Sequence, residues 1–196
     1  MRTIGLTGSI GMGKTTTAGL FEKHGVAVFD ADAAVHDLYA GEAVPLIVGA
    51  FPDAVVNGRV DRQRLAAHLT KMPDDFATLE AIIHPMVRAR QEAFLENSAK
   101  AGAEFALLDI PLLFETGREK DVDIVVVVTA EPAIQLERVM ARAGMTEEKF
   151  HSIVARQIPD HEKREKADFI VDTSFGIEKA ADQVAKILAE LRSNLS

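Results

Sequence analysis

The chain has 196 residues and a formal net charge of −8, with 47% apolar residues, 27% charged residues and no cysteine. That length fits one domain, or one domain with a sizeable insertion, and it buries a core without covalent staples. The missing cysteine excludes a disulfide framework and thiolate metal sites, and the acidic balance lacks the basic footprint of a nucleic-acid binder.

Thr3 to Thr7 is β-rich and ends in a glycine loop, the pattern of a buried strand. Thr15 to His24 has helical composition, and Gly25 stops it. Val26 to Phe29 is a second short strand, and Ala31 to Tyr39 is a helix capped by one of the preceding aspartates. Further on, Phe105 to Ile110, Asp123 to Thr129 and Phe169 to Asp172 read as strands. The valines 125 to 128 suit a strand covered on both faces. Helical patterns lie at Pro132 to Ala143, Glu147 to Gln157 and Ile177 to Leu191. This alternation predicts an α/β fold with a parallel sheet.

Residues 45–102 break the alternation. They are mostly helical, notably Arg62 to Leu69 and Phe76 to Ser98, with a possible strand only around Val55-Val56. This segment is expected to be a helical insertion that binds a second substrate. The N-terminus does not have the form of a signal peptide. The longest strongly apolar run, Ile124 to Val128, is far short of the roughly 20 residues a bilayer span needs. A cytoplasmic location with no membrane partner is expected.

Gly8-Ser9-Ile10-Gly11-Met12-Gly13-Lys14-Thr15 matches G-x-x-x-x-G-K-[ST], between the first strand and the first helix. Glycines let backbone N–H groups approach phosphates closely, and the helix start turns its positive dipole end toward the anion. Gly11, Met12, Gly13, Lys14, Thr15 and Thr16 are the expected nucleotide-binding residues. Lys14 is expected to reach the β- and γ-phosphates, and the Thr15 hydroxyl to ligate magnesium. A guanine-reading Asn-Lys-x-Asp is absent, because none of the asparagines 57, 97 and 194 precedes a lysine.

A small-molecule kinase needs three more parts: a base for the acceptor, an acid near magnesium and extra cations on the phosphoryl group. Asp30 and Asp32 follow the second strand, where ligands of open α/β sheets bind. Helix capping explains one of them but not both. Asp109 ends another strand and suits a metal-side acid, with a strand-end turn as the rival reading. Arg138 and Arg142 are four apart on a predicted helix, with no carboxylate three or four residues from either. Like charges at that spacing repel, so the pair suggests an anion site, against the alternative of two solvated arginines. Lys163-Arg164-Glu165-Lys166 reads as a solvated helix with a Glu162–Lys166 pair. His84-Pro85, with Arg88 one turn on, offers a polar site in the insertion or a structural kink.

These residues resemble the dephospho-CoA kinase family over nearly the whole chain. The resemblance is carried by Ile4 to Gly8 leading into the phosphate loop, Asp30-Ala31-Asp32 with His36, and Asp61-Arg62 with Leu65. Ile83-His84-Pro85, the run Asp109 to Glu115, Gln135 to Arg142, Gln157 with Lys163-Arg164, and Ala167-Asp168 complete it. It implies ATP- and magnesium-dependent phosphorylation of the ribose 3′-hydroxyl of dephospho-CoA, the last step of coenzyme A biosynthesis. It implies a three-layer P-loop kinase fold: a nucleotide core (1–44, 103–135, 167–196), a helical CoA-side insertion (45–102) and a lid (136–166). Asp32 then corresponds to the base, Lys14, Arg138 and Arg142 to phosphoryl-stabilising cations, and Asp32, His84, Arg62 and Arg88 to the acceptor side. Thr15 and Asp109 keep the metal-side roles read from the loop motif and the strand end.

Three departures from the family pattern stand out. Ile153 stands where the family often has arginine, with Arg156 nearby as a replacement. Thr173-Ser174-Phe175-Gly176 replaces the common Asn-Ser-Gly, and Ser9 replaces a frequent glycine. Two rivals remain at this level: another small-molecule P-loop kinase, and a P-loop hydrolase with a regulatory role. A monomer is favoured.

Overall fold

The expected strands form one sheet in the computed structural model, which describes residues 1–194. The chain begins with strand β1 (Arg2–Thr7), helix α1 (Lys14–Lys23) and strand β2 (Ala27–Asp30). Helices α2 (Ala31–Ala40) and α3 (Val44–Ala50), the hairpin β3 (Val55–Val56) and β4 (Arg59–Val60), and helices α4 (Arg62–Lys71) and α5 (Phe76–Lys100) follow. Then come β5 (Phe105–Asp109), β6 (Ile124–Thr129), α6 (Pro132–Met140), α7 (Glu147–Val154), α8 (Asp160–Glu165), β7 (Phe169–Asp172) and α9 (Ile177–Ser193).

The main sheet runs β2-β5-β1-β6-β7. β1 is parallel to both β5 and β6, with Ile4 opposite Leu107 on one side and Ile124 on the other. β6 is parallel to β7. Every residue of β5 and β6 is buried, as the unbroken apolar runs require of strands covered on both faces. α9 buries Ala180, Val184, Ile187, Leu188 and Leu191, spaced as one stripe of a helix. That stripe joins Leu20 and Phe21 of α1, and Ile4, Leu6 and Val126 of the sheet, in one core.

The chain divides into two compact units, Met1–Phe29 with the chain from Ser98 on, and Asp30–Asn97. The second begins at Asp30 rather than at residue 45. The reason is α2: its fully buried Leu38 packs in the same cluster as Ile47, Phe51, Leu65 and Ile83. Within this unit Asp61 caps α4, accepting from the N–H groups of Gln63 (2.9 Å) and Arg64 (3.0 Å). Pro85 lies inside α5 without ending it. The strand expected around Val55 has a partner in β4. Asn57 and Gly58 join the two strands with φ of 50° and 74°, the left-handed pair of a tight hairpin turn.

Two helices are shorter than their patterns suggested. α6 ends at Met140 because Arg142 N–H turns back to Val139 O (3.1 Å) and Gly144 follows with φ of 73°. Arg142 therefore lies in the turn beyond the helix that carries Arg138. α7 ends at Val154 in a tightened turn, with Arg156 N–H on Ile153 O (3.2 Å) and Gln157 N–H on Val154 O (3.0 Å). Arg156 thus does not continue the helical face of Ile153.

Candidate active site

β1 delivers the chain into the glycine loop, and α1 takes it over at Lys14. Gly11 has φ of 81°, and a Cβ there would lie 2.5 Å from Val139 Cγ2 and 2.9 Å from Gln135 O. No other residue fits. Gly13 closes the loop with φ of 92° as the residue before α1. In the first turn of α1 the N–H groups of Lys14, Thr15 and Thr16 have no helical acceptor, the arrangement that suits an anion at a helix start. Thr15 and Thr16 are exposed on that turn.

Side chains from far along the chain hold the loop's shape. Ile10 N–H donates to Gln157 Oε1 (3.2 Å), and Ile10 O accepts from Gln135 Nε2 (2.8 Å). Met12 O accepts from the Thr173 hydroxyl at 2.8 Å. Met12 N–H closes an internal turn onto Ser9 O at 3.2 Å.

Lys14 pairs with Asp109, the last residue of β5. Both are largely buried, with side chains 16% and 5% exposed. This ion pair places a carboxylate beside the helix start that bears the Thr15 hydroxyl. Hard oxygen donors of this kind suit magnesium, which keeps waters and substrate phosphates as its other ligands. Among the described residues no group of three or more His, Cys, Asp or Glu side chains forms an all-protein metal cage.

Arg138 reaches the segment after β7. Its Nη1 donates to Thr173 Oγ1 (2.7 Å) and its Nη2 to Thr173 O (2.9 Å). Gly11, Gly13, Thr16, Arg138, Arg142 and Thr173 line a cavity of about 280 Å³. The two arginines and the phosphate loop thus share one cavity, although the arginines do not share a helix.

In the basic run after Pro159, Arg164, Glu165 and Lys166 are exposed as expected, and Lys163 alone departs from that reading. Lys163 is fully buried, and its Nζ lies 2.8 Å from Glu115 Oε1. Ile158 N–H donates to the same oxygen at 2.9 Å. Burial pushes the Glu115 carboxyl up, but Lys163 and the N–H donors outweigh it and hold the group below the usual carboxylate value. Nearby, the Thr129 hydroxyl donates to Asp160 Oδ2 at 2.7 Å, tying the end of β6 to the start of α8.

In the second unit the two strand-end aspartates separate by role. Asp30 caps α2, its Oδ1 accepting from Asp32 N–H (2.8 Å) and Ala33 N–H (3.0 Å). Asp32 is exposed in the first turn of that helix. Arg62 is exposed at the start of α4 and close enough to Tyr39 to oppose the rise that burial imposes on its phenol. His84 and Arg88 are exposed one turn apart on α5. The structure places these four residues on three helices of one unit.

Residue patterns did not single out the loop-holding roles of Gln135, Gln157 and Thr173. Polar side chains amid apolar neighbours were the available signal: Gln135 and Thr173 are buried, and buried polar groups need partners.

A sequence model of the family described as Dephospho-CoA kinase matches residues 2–179. A dephospho-CoA kinase of Agrobacterium fabrum is 61% identical over 191 residues, which cover 97% of this chain and 98% of that protein. A Thermus thermophilus protein of known crystal structure is 35% identical, with a TM-score of 0.82 and coverage of 97% of each chain. A dephospho-CoA kinase from Campylobacter jejuni shares the fold at a TM-score of 0.74 and 24% identity, over 99% of this chain and 98% of that one.

Proposed function

The chain belongs to the dephospho-CoA kinase family, and on that premise we propose that it transfers the terminal phosphoryl group of ATP to the ribose 3′-hydroxyl of dephospho-CoA. The products are coenzyme A and ADP. The observation that carries the phosphoryl chemistry is the cavity shared by the phosphate loop and the two arginines. The acceptor follows from family membership across almost the entire chain.

In this reading the 3′-oxygen attacks the γ-phosphorus, and its proton passes to the Asp32 carboxylate. The bond from the γ-phosphorus to the β–γ bridging oxygen breaks, and its electron pair leaves with ADP. Asp32 suits the base because Asp30 already serves as the cap and leaves its neighbour available. Lys14 and the N–H groups of the loop hold the phosphates, while Arg138 and Arg142 offset charge on the transferring group. The Thr15 hydroxyl and the Asp109 carboxylate would hold magnesium, which supplies charge neutralisation on the β- and γ-oxygens. Arg62, His84 and Arg88 are assigned to the acceptor, and residues 136–166 to a lid.

The enzyme is taken to work as a cytoplasmic monomer. No helix among the described residues is long and apolar enough to cross a membrane. A panel of nucleosides, nucleotides, sugars and dephospho-CoA, with ATP consumption as readout, tests the reading. Turnover is expected with dephospho-CoA and magnesium. ATP hydrolysis indifferent to dephospho-CoA would instead favour a regulatory hydrolase.

A further inference from the structure

Thr173 follows β7 and is only 6% exposed. A hydroxyl has one proton to give and two lone pairs to receive with. The proton goes to Met12 O at 2.8 Å in preference to Thr129 O at 3.3 Å. That leaves the lone pairs for Arg138, whose Nη1 donates to the same oxygen at 2.7 Å. The second Arg138 nitrogen donates to the Thr173 carbonyl at 2.9 Å. One residue therefore grips the guanidinium at two points, and its hydroxyl is also fixed to the loop position between Gly11 and Gly13.

A guanidinium carries five N–H donors. Thr173 takes two of them, which leaves donors for phosphate oxygens in the cavity that Arg138 lines. Free in solvent, an arginine side chain spreads over many rotamers. Here its charge is indexed to the peptide that cradles the phosphates. We propose that Thr173 is a positioning residue for phosphoryl transfer, locking the Arg138 guanidinium in register with the phosphate loop. The proposal rests on the reading of Arg138 as a phosphate clamp.

The test compares Thr173→Val, which keeps the shape and deletes the hydroxyl, with Thr173→Ser, which keeps the hydroxyl. Steady-state kinetics with ATP and dephospho-CoA are measured alongside cooperative thermal unfolding. Thr173→Val is expected to lower kcat by about 10- to 100-fold, the scale of a misplaced catalytic group, with KM for dephospho-CoA unchanged. Thr173→Ser should stay within about threefold of the parent enzyme. In an Arg138→Ala background, Thr173→Val should cost less than about twofold more, because both changes remove one function. Should Thr173→Val lose cooperative unfolding, Thr173→Ala takes its place in the same comparison.

Normal kcat for Thr173→Val beside a slow Arg138→Ala overturns the proposal alone. An equally slow Thr173→Ser overturns it in favour of a packing role. Independent, multiplicative losses in the double variant show that Thr173 does not act through Arg138. Normal turnover by Arg138→Ala removes the clamp reading itself, and the proposal with it.

Discussion

Lys163 Nζ and Glu115 Oε1 stand 2.8 Å apart with the lysine fully buried, which pins α8 to the segment that follows β5. Removing one partner of such a pair strands a desolvated charge and costs on the order of 3–5 kcal/mol. Glu115→Ala should therefore destabilise the fold by about that amount in urea denaturation. Replacing both residues, as Lys163→Met with Glu115→Leu, should cost markedly less. A double variant no more stable than Glu115→Ala would show that the charges are not the issue.

The same carboxylate gives stability a pH dependence. Its value is depressed in the folded chain relative to 4.5, so the folded state favours the ionised form. The resulting stabilisation is complete above that ordinary value and is lost as pH falls through the folded one. Asp123 acts in the same sense. It is held below 3.8 chiefly by Thr3 N–H (2.6 Å) and also by the Thr3 hydroxyl (2.8 Å). Denaturation midpoints measured from neutral pH into the acid range should fall below the ordinary carboxylate values. Glu115→Gln should flatten that slope, and an unchanged slope would remove Glu115 from the explanation.

For the acceptor base, Asp32→Asn keeps the size of the side chain and removes its basicity. General-base catalysis contributes about 10²- to 10⁴-fold, so kcat should fall by that order while ATP binding is largely kept. Phosphate transfer at the normal rate would exclude Asp32 as the base.

Gly11 is tested by Gly11→Ala. The added Cβ meets Val139 at 2.5 Å in a backbone conformation with φ of 81°. Left-handed backbone alone costs an L-residue roughly 1–2 kcal/mol. The loop is expected to shift and ATP binding by calorimetry to weaken at least about tenfold, since a loss of 1.4 kcal/mol is a factor of ten. Undiminished affinity would mean that the loop relaxes freely around Val139.

Phosphoryl transfer gains from excluding water, so the exposed stretch around Arg142 to Thr146 should be ordered by substrates. Limited proteolysis between Ala141 and Lys166 should slow when ATP and dephospho-CoA are both present. Equal cleavage with and without them would argue against closure of this segment.

The sheet and the phosphate loop were legible because their signals are local. Apolar runs mark β5 and β6, and the glycine spacing marks the loop. The hairpin is marked in the sequence by Val55-Val56 and by Asn57-Gly58, whose left-handed backbone suits a tight turn. Lys163 was misread because a run of charges reads as solvated unless a distant partner such as Glu115 is known. Arg138 and Arg142 were expected side by side on one helix. They line one cavity although the chain turns after Met140, where Arg142 N–H bonds back to Val139 O. The commitment of α2 to the second unit is made by Leu38, whose packing partners Ile47, Phe51, Leu65 and Ile83 all lie further along the chain.

The residues that hold Ile10 and Met12 lie 125, 147 and 161 positions downstream. The loop leaves the ribosome well before the residues that supply its final contacts. A nascent chain that stops short of Thr173 displays the whole glycine motif without the scaffold that shapes it. Nucleotide binding during synthesis would thus report completion of β7, not appearance of the motif.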